Sequence, residues 1–131
     1  MNIILSNGAV LTPNTVTGTK RLVQGASRDT LTFVFQDGTS LDELDRTFCA
    51  ENCERITIIE ADGSEYVHSG YVIRAELKRE PIEVAPASDS EPATYENRVV
   101  VAMSRRTYQE SQFAELQEAL NMILSGETGE G

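Results

Sequence analysis

Tryptophan is missing from this chain, histidine occurs once and cysteine only twice. Each scarcity closes off a class of function. With His68 alone, and with no serine or cysteine in an elbow motif, a nucleophilic triad has no anchor. Cys49 and Cys53 lie in Phe48-Cys49-Ala50-Glu51-Asn52-Cys53, which offers half the ligands of a structural zinc site and no neighbouring histidine. They read as two small apolar residues packing at a helix end. The glycine-containing turns include neither G-x-x-x-x-G-K nor G-x-G-x-x-G, so no phosphate cradle is encoded. No run approaches the roughly 18 apolar residues needed to cross a bilayer. The start, Met1-Asn2-Ile3-Ile4-Leu5-Ser6-Asn7-Gly8, lacks the basic and long apolar regions of a signal peptide. Residence in a cytoplasm, or in a particle assembled there, is the expectation.

Positive charge is scarce too. Eleven lysines and arginines face 21 aspartates and glutamates, for a net charge of −10. Residues 40–65 hold two basic and eight acidic side chains, a balance of −6, whereas residues 1–39 come to +1. Direct binding to DNA or RNA needs a basic surface that displaces counterions from phosphates, and none is visible. Anionic membranes are disfavoured for the same reason. The acidic surface serves solubility or meets a basic protein partner, with Asp42, Glu43 and Asp45 as its candidate contacts. Metal binding fares poorly: Asp37-Gly38-Thr39-Ser40-Leu41-Asp42 fails the ligand spacing of an EF-hand, and Asp62-Gly63 is hairpin punctuation. Acidic residues abound, but nothing selects a pair for glycoside hydrolysis. No catalytic residue, metal or cofactor is expected, and the chain reads as a non-enzyme.

What is present is a chain of 131 residues, 40% hydrophobic, which suits one globular core. Ile3-Ile4-Leu5 and Ala9-Val10-Leu11 flank Asn7-Gly8, a tight β-hairpin. Pro13-Asn14 breaks the ladder, and Lys20 to Gln24 is a weaker strand between Gly18 and Gly25. Thr30 to Phe35 aligns Leu31, Phe33 and Phe35 on one strand face. Ser40-Leu41-Asp42-Glu43 is a capping box, and Leu41, Leu44 and Phe48 form one stripe of a short helix. Arg55 to Glu60 and Glu65 to His68 are strands around the Ala61-Asp62-Gly63-Ser64 turn. Ser69-Gly70 then predicts a bulge within a strand that continues through Tyr71, Ile73, Ala75 and Leu77.

Residues 80–94 contain three of the four prolines and predict an extended loop. Asn97 to Met103 is a strong strand returning to the main sheet. Thr107-Tyr108-Gln109-Glu110 is a second capping box. Phe113, Leu116, Leu120 and Ile123 follow at coiled-coil spacing, Gly126 predicts the stop, and residues 126–131 are expected to be a disordered tail. The stripe on this helix must be covered either by the chain's own sheet or by self-association into a homo-oligomer. The expected fold is therefore α+β: a small, mainly antiparallel sheet with one short helix packed on it and a C-terminal amphipathic helix. Residues 1–106 form the domain and 107–125 the helix.

Several stretches carry a resemblance: Ser40-Leu41-Asp42-Glu43-Leu44, Cys53-Glu54-Arg55-Ile56-Thr57-Ile58, Tyr66-Val67-His68-Ser69-Gly70-Tyr71, and Arg98 through Tyr108. Over roughly residues 30–115 the chain resembles small proteins encoded by phages and prophages of Gram-positive bacteria, of the tail and baseplate modules. The resemblance brings no functional residues with it. It implies a structural or interaction role in a tail assembly, located in the host cytoplasm or the virion. The alternative, motivated by the acidic stretch, is an inhibitor of a host nucleic-acid-binding defence protein.

Overall fold

The computed structural model describes the backbone of residues 1–130 and the side chains through Asn121. The described chain is α+β, with eight strands and two helices in the order β1 (Asn2–Ile4), β2 (Val10–Leu11), β3 (Thr15–Val23), β4 (Ala26–Gln36), α1 (Leu41–Thr47), β5 (Arg55–Ile59), β6 (Glu65–Ser69), β7 (Ile73–Ala85), β8 (Thr94–Ser104) and α2 (Tyr108–Glu130). Local chemistry explains most of the boundaries. Gly8 adopts φ +85° and closes the first hairpin, with the Leu5 and Gly8 amides donating to Ala9 and Leu5 carbonyls. Ser40 caps α1 by accepting from the Glu43 amide.

The strands form two antiparallel sheets of four, ordered β2-β1-β5-β6 and β3-β4-β8-β7. Sequence patterning anticipates one sheet, and the difference turns on Ser69-Gly70. In place of a bulge, the chain leaves the first sheet at Ser69 and enters the second at Ile73. Gly70, at φ +79°, donates its amide to the Glu54 carbonyl and accepts at its own carbonyl from the Arg106 amide. Both bonds tie the crossover in place.

The sheets share one core. Ile3, Ile56 and Ile58 come from the first sheet, with Leu5 just past the end of β1, and Phe33, Phe35, Val101 and Met103 are among those from the second. Helix α1 adds Leu44 and Phe48, as its stripe predicts. The Phe48 ring lies 5.2 Å from that of Phe33 and 6.1 Å from that of Phe35, joining the helix to β4. Strand β8 rejoins this core as its sequence suggests, between β4 and β7.

Three further expectations are corrected. Strand β3 starts at Thr15 and pairs with β4 as far as Val23↔Ala26, so the two-residue turn is Gln24-Gly25. Both turn residues hold positive φ, 48° and 76°, the geometry a twisted hairpin needs, without the asparagine or aspartate that usually signals it. The stretch from Glu80 to Thr94 is only in part a loop: β7 runs to Ala85, with Pro81 opposite Asn97, and residues 86–93 connect it to β8. A proline fits there because β7 is an edge strand with no second neighbour to receive its missing N–H. Finally, α2 passes through Gly126, which lowers helix propensity by about 1 kcal/mol against alanine without forbidding the conformation.

Candidate functional site

The most distinctive polar construction lies where α2 leaves the second sheet. Arg28, on β4, is buried at 3% exposure on the sheet face opposite Leu31 and Phe33. Its Nε donates to the Val23 carbonyl at 2.7 Å, and its two terminal nitrogens reach the carbonyls of Arg105 (3.2 Å) and Gln24 (3.4 Å). Both also grip the Glu110 carboxylate, Nη2 to Oε2 at 2.8 Å and Nη1 to Oε1. One guanidinium therefore ties the β3–β4 turn, the end of β8 and the first turn of α2. The planar five-donor fork of arginine suits this task, and lysine could not reproduce it.

Glu110 also serves its own helix. The Thr107 amide donates to Glu110 Oε1 at 2.8 Å, and the Glu110 amide donates to Thr107 Oγ1 at 3.2 Å, which completes the capping box read from the sequence. The bond from Arg28, and then the Thr107 amide, hold the Glu110 carboxyl down at about 2. The same bond raises the Arg28 pKa against the effect of its burial. Next to this clamp, Arg105 donates its amide to the Asp29 carbonyl at 2.8 Å, and the Arg106 side chain reaches the Glu54 carboxylate at 2.7 Å. A cleft of about 630 Å³ opens between the sheet and the helix start, lined by residues including Arg28, Asp29, Arg105, Tyr108 and Glu115.

Beyond the clamp, α2 presents its apolar residues to solvent. Phe113 is 61% exposed, Leu116 67% and Leu120 54%; the Ile123 side chain lies outside the described residues. Of the two covers expected for this stripe, the chain's own sheet supplies none at these three positions. The acidic candidates sit elsewhere. Asp42 and Glu43 are exposed in the first turn of α1, where the helix dipole favours negative charge. Asp45 is engaged: Arg74 Nη1 donates to its carboxylate at 2.9 Å, while Arg74 Nη2 donates to the Asp45 and Phe48 carbonyls and closes the end of α1. The two predicted groups share no hydrogen bond or ion pair among the described residues.

Other reactive side chains have structural neighbours. Burial, reinforced by Cys49, pushes the Cys53 thiol up to about 12, so little thiolate forms at neutral pH. His68 meets Tyr71 edge-on at 5.6 Å beside a groove of about 340 Å³, and desolvation raises the Tyr71 phenol. Among the described residues, no three His, Cys, Asp or Glu side chains converge as metal ligands would, and no helix is long and apolar enough to cross a membrane. Sequence reasoning identified Glu110 as a cap and missed its partner. Arg28 stands 82 positions away, and no local pattern connects the two.

Compared with family models, with curated proteins and with solved structures, the chain matches none.

Proposed function

We propose that this chain is a non-enzymatic structural or interaction protein of the phage type, an accessory component of a tail or baseplate that acts in the host cytoplasm or the virion. The observation that carries the contact role is the exposed row Phe113, Leu116 and Leu120 on a helix whose start is clamped. A helix bearing such a row gains stability from covering it, because most helical stability in proteins comes from packing an apolar face and not from propensity. The flanks favour a second copy as the cover. Taking Phe113 and Leu120 as a positions and Leu116 as d, the adjoining e and g positions are Gln112, Gln117 and Ala119, all uncharged. Glu115 and Glu118 fall at c and f, away from the seam, so two acidic copies approach there without like charges in contact. The clamp from Arg28 fixes the direction in which the helix is offered.

The competing reading, an acidic inhibitor of a host nucleic-acid-binding protein, relies on Asp42, Glu43 and Asp45 as a free patch, and Asp45 is already occupied by Arg74. Light scattering decides the assembly role. The full chain should associate with rising concentration, and the triple variant Phe113→Ser, Leu116→Ser, Leu120→Ser should stay monomeric with unchanged strand content. Two monomers of equal size would sink the seam.

A further inference from the structure

Strand β8 is staggered against its inner partner, β4, and overhangs it at one end. Its last pair with β4 is Gln36↔Arg98, whereas its pairing with β7 continues outward to Thr94. The end of β4 is held back there: Arg79 Nη2 donates to the Asp37 carbonyl at 3.1 Å and the Thr39 carbonyl at 3.2 Å, and Arg79 Nε meets the Asp37 carboxylate at 3.0 Å. The chain therefore turns towards α1 and leaves a notch. Along Thr94–Asn97, β8 has β7 on one side and no strand on the other among the described residues. All four residues are exposed, Tyr95 at 59%.

Alternate N–H and C=O groups of such a stretch point into the vacant lane, a ready template for another strand. The other edges are blunted. Strand β2 has two residues and β6 five, β3 carries Lys20 and Arg21, and β7 carries Pro81 and an irregularity between Glu83 and Ala85. Short strands, charges, prolines and bulges are the usual guards of a sheet edge. Thr94-Tyr95-Glu96-Asn97 has no proline and no lysine, and its pairing with β7 is regular from Tyr95 to Asn97, the shift falling between Tyr95 and Thr94.

Charge selects the occupant. From Glu80 to Asn97 the ribbon carries Glu80, Glu83, Asp89, Glu91 and Glu96 and no basic side chain. Lys78 pairs with Glu80 at 2.9 Å and Arg98 with Glu96 at 2.6 Å, which leaves Glu83, Asp89 and Glu91 without an ion pair among the described residues. A second copy pairing here would set these three unpaired carboxylates against their own kind. We infer that the open edge of Thr94–Asn97 is a strand-addition site for an extended, basic segment of another protein. Main-chain bonds along the vacant lane supply the attachment, and the flanking glutamates select lysine- or arginine-bearing strands over acidic ones. This contact is separate from the α2 seam and stands or falls independently of it.

The test is an amide-resolved NMR titration of the full chain with a synthetic peptide of alternating lysine and valine, repeated with glutamate in place of lysine. The lysine peptide should shift the amide signals of Thr94–Asn97 and slow their hydrogen exchange, and the glutamate peptide should leave them unmoved. Glu83→Lys with Glu96→Lys should weaken binding by about tenfold or more with circular dichroism unchanged. If that double variant loses its fold, Glu83→Gln alone should still weaken binding by about threefold. The inference is overturned if the lysine peptide shifts Asp42 and Glu43 and spares Thr94–Asn97, if neither peptide moves these amides, or if both bind equally. It is also overturned if the same amides shift with protein concentration alone, which would assign the edge to a second copy.

Discussion

Helices α1 and α2 start from the same device, a hydroxyl residue followed three positions later by a glutamate: Ser40 with Glu43, Thr107 with Glu110. Both then carry an apolar stripe at helical spacing. Leu44 and Phe48 of the first stripe are 2% and 1% exposed, while Phe113 and Leu116 of the second are 61% and 67% exposed. The capping signal determines where a helix begins and says nothing about what will cover it. Helix α1 sits between β4 and β5, strands of different sheets, so its stripe has a core on arrival. Helix α2 follows the last strand and is held by the charged bond between Arg28 and Glu110 at its first turn. One helix is an internal part of the core, and the other is an attachment presented by it.

The largest effect should come from exchanging the two environments. Phe48→Ala removes a ring packed between Phe33 and Phe35 and should cost about 3–5 kcal/mol in urea denaturation. Phe113→Ala, measured on dilute monomer, should stay within about 0.5 kcal/mol, as exposed substitutions do. Equal costs for the two variants would break the contrast and mean that α2 is covered within the monomer.

A smaller effect should follow from releasing the attachment. Arg28→Ala leaves the Val23, Gln24 and Arg105 carbonyls without their shared donor and should lower the thermal midpoint by several degrees. Limited proteolysis should then cut first between Ser104 and Ser111. Arg28→Lys should not restore resistance, because one ammonium cannot span these acceptors. Protection equal to the native chain would mean that the clamp does not hold α2.

The smallest effect is one of pH. The folded Glu110 carboxyl titrates at about 2, below its ordinary value of 4.5. A depressed carboxylate favours folding while it is ionised, so its contribution is complete above about 4.5 and is lost as pH falls towards 2. Helix docking, followed by the NMR signals of Thr107 and Ser111, should be constant from pH 7 to about 5 and loosen below that. Glu110→Gln should remove the dependence; a midpoint near neutrality would point to another group.

Much of the scaffold was legible locally. The alternation of Leu31, Phe33 and Phe35, the Asn7-Gly8 turn, both capping boxes and the return of Val99–Met103 all depend on neighbours within a few positions. What escaped is non-local or chemically quiet. Gln24-Gly25 turns the chain without asparagine or aspartate, because a positive-φ pair is demanded by the hairpin twist and not by the residues themselves. Pro81 suggested a loop, yet an edge strand accommodates it, and edge status is a property of the whole sheet. The candidate site was half legible: the stripe on α2 came from spacing, its exposure and the Arg28 clamp did not.

The amino-acid sequence by itself determined the α+β class, the two helix starts, most strand faces and the acidic balance, because propensity, periodicity and charge act over a few residues. Tertiary structure alone decided that the strands divide into two sheets at Gly70, that Arg28 finds Glu110, that β8 overhangs the end of β4 and that Phe113, Leu116 and Leu120 of α2 stay open. Those outcomes depend on which distant segments meet. A pair 82 positions apart leaves no trace in local pattern, since its strength comes from burial and geometry that exist only once the sheets have formed.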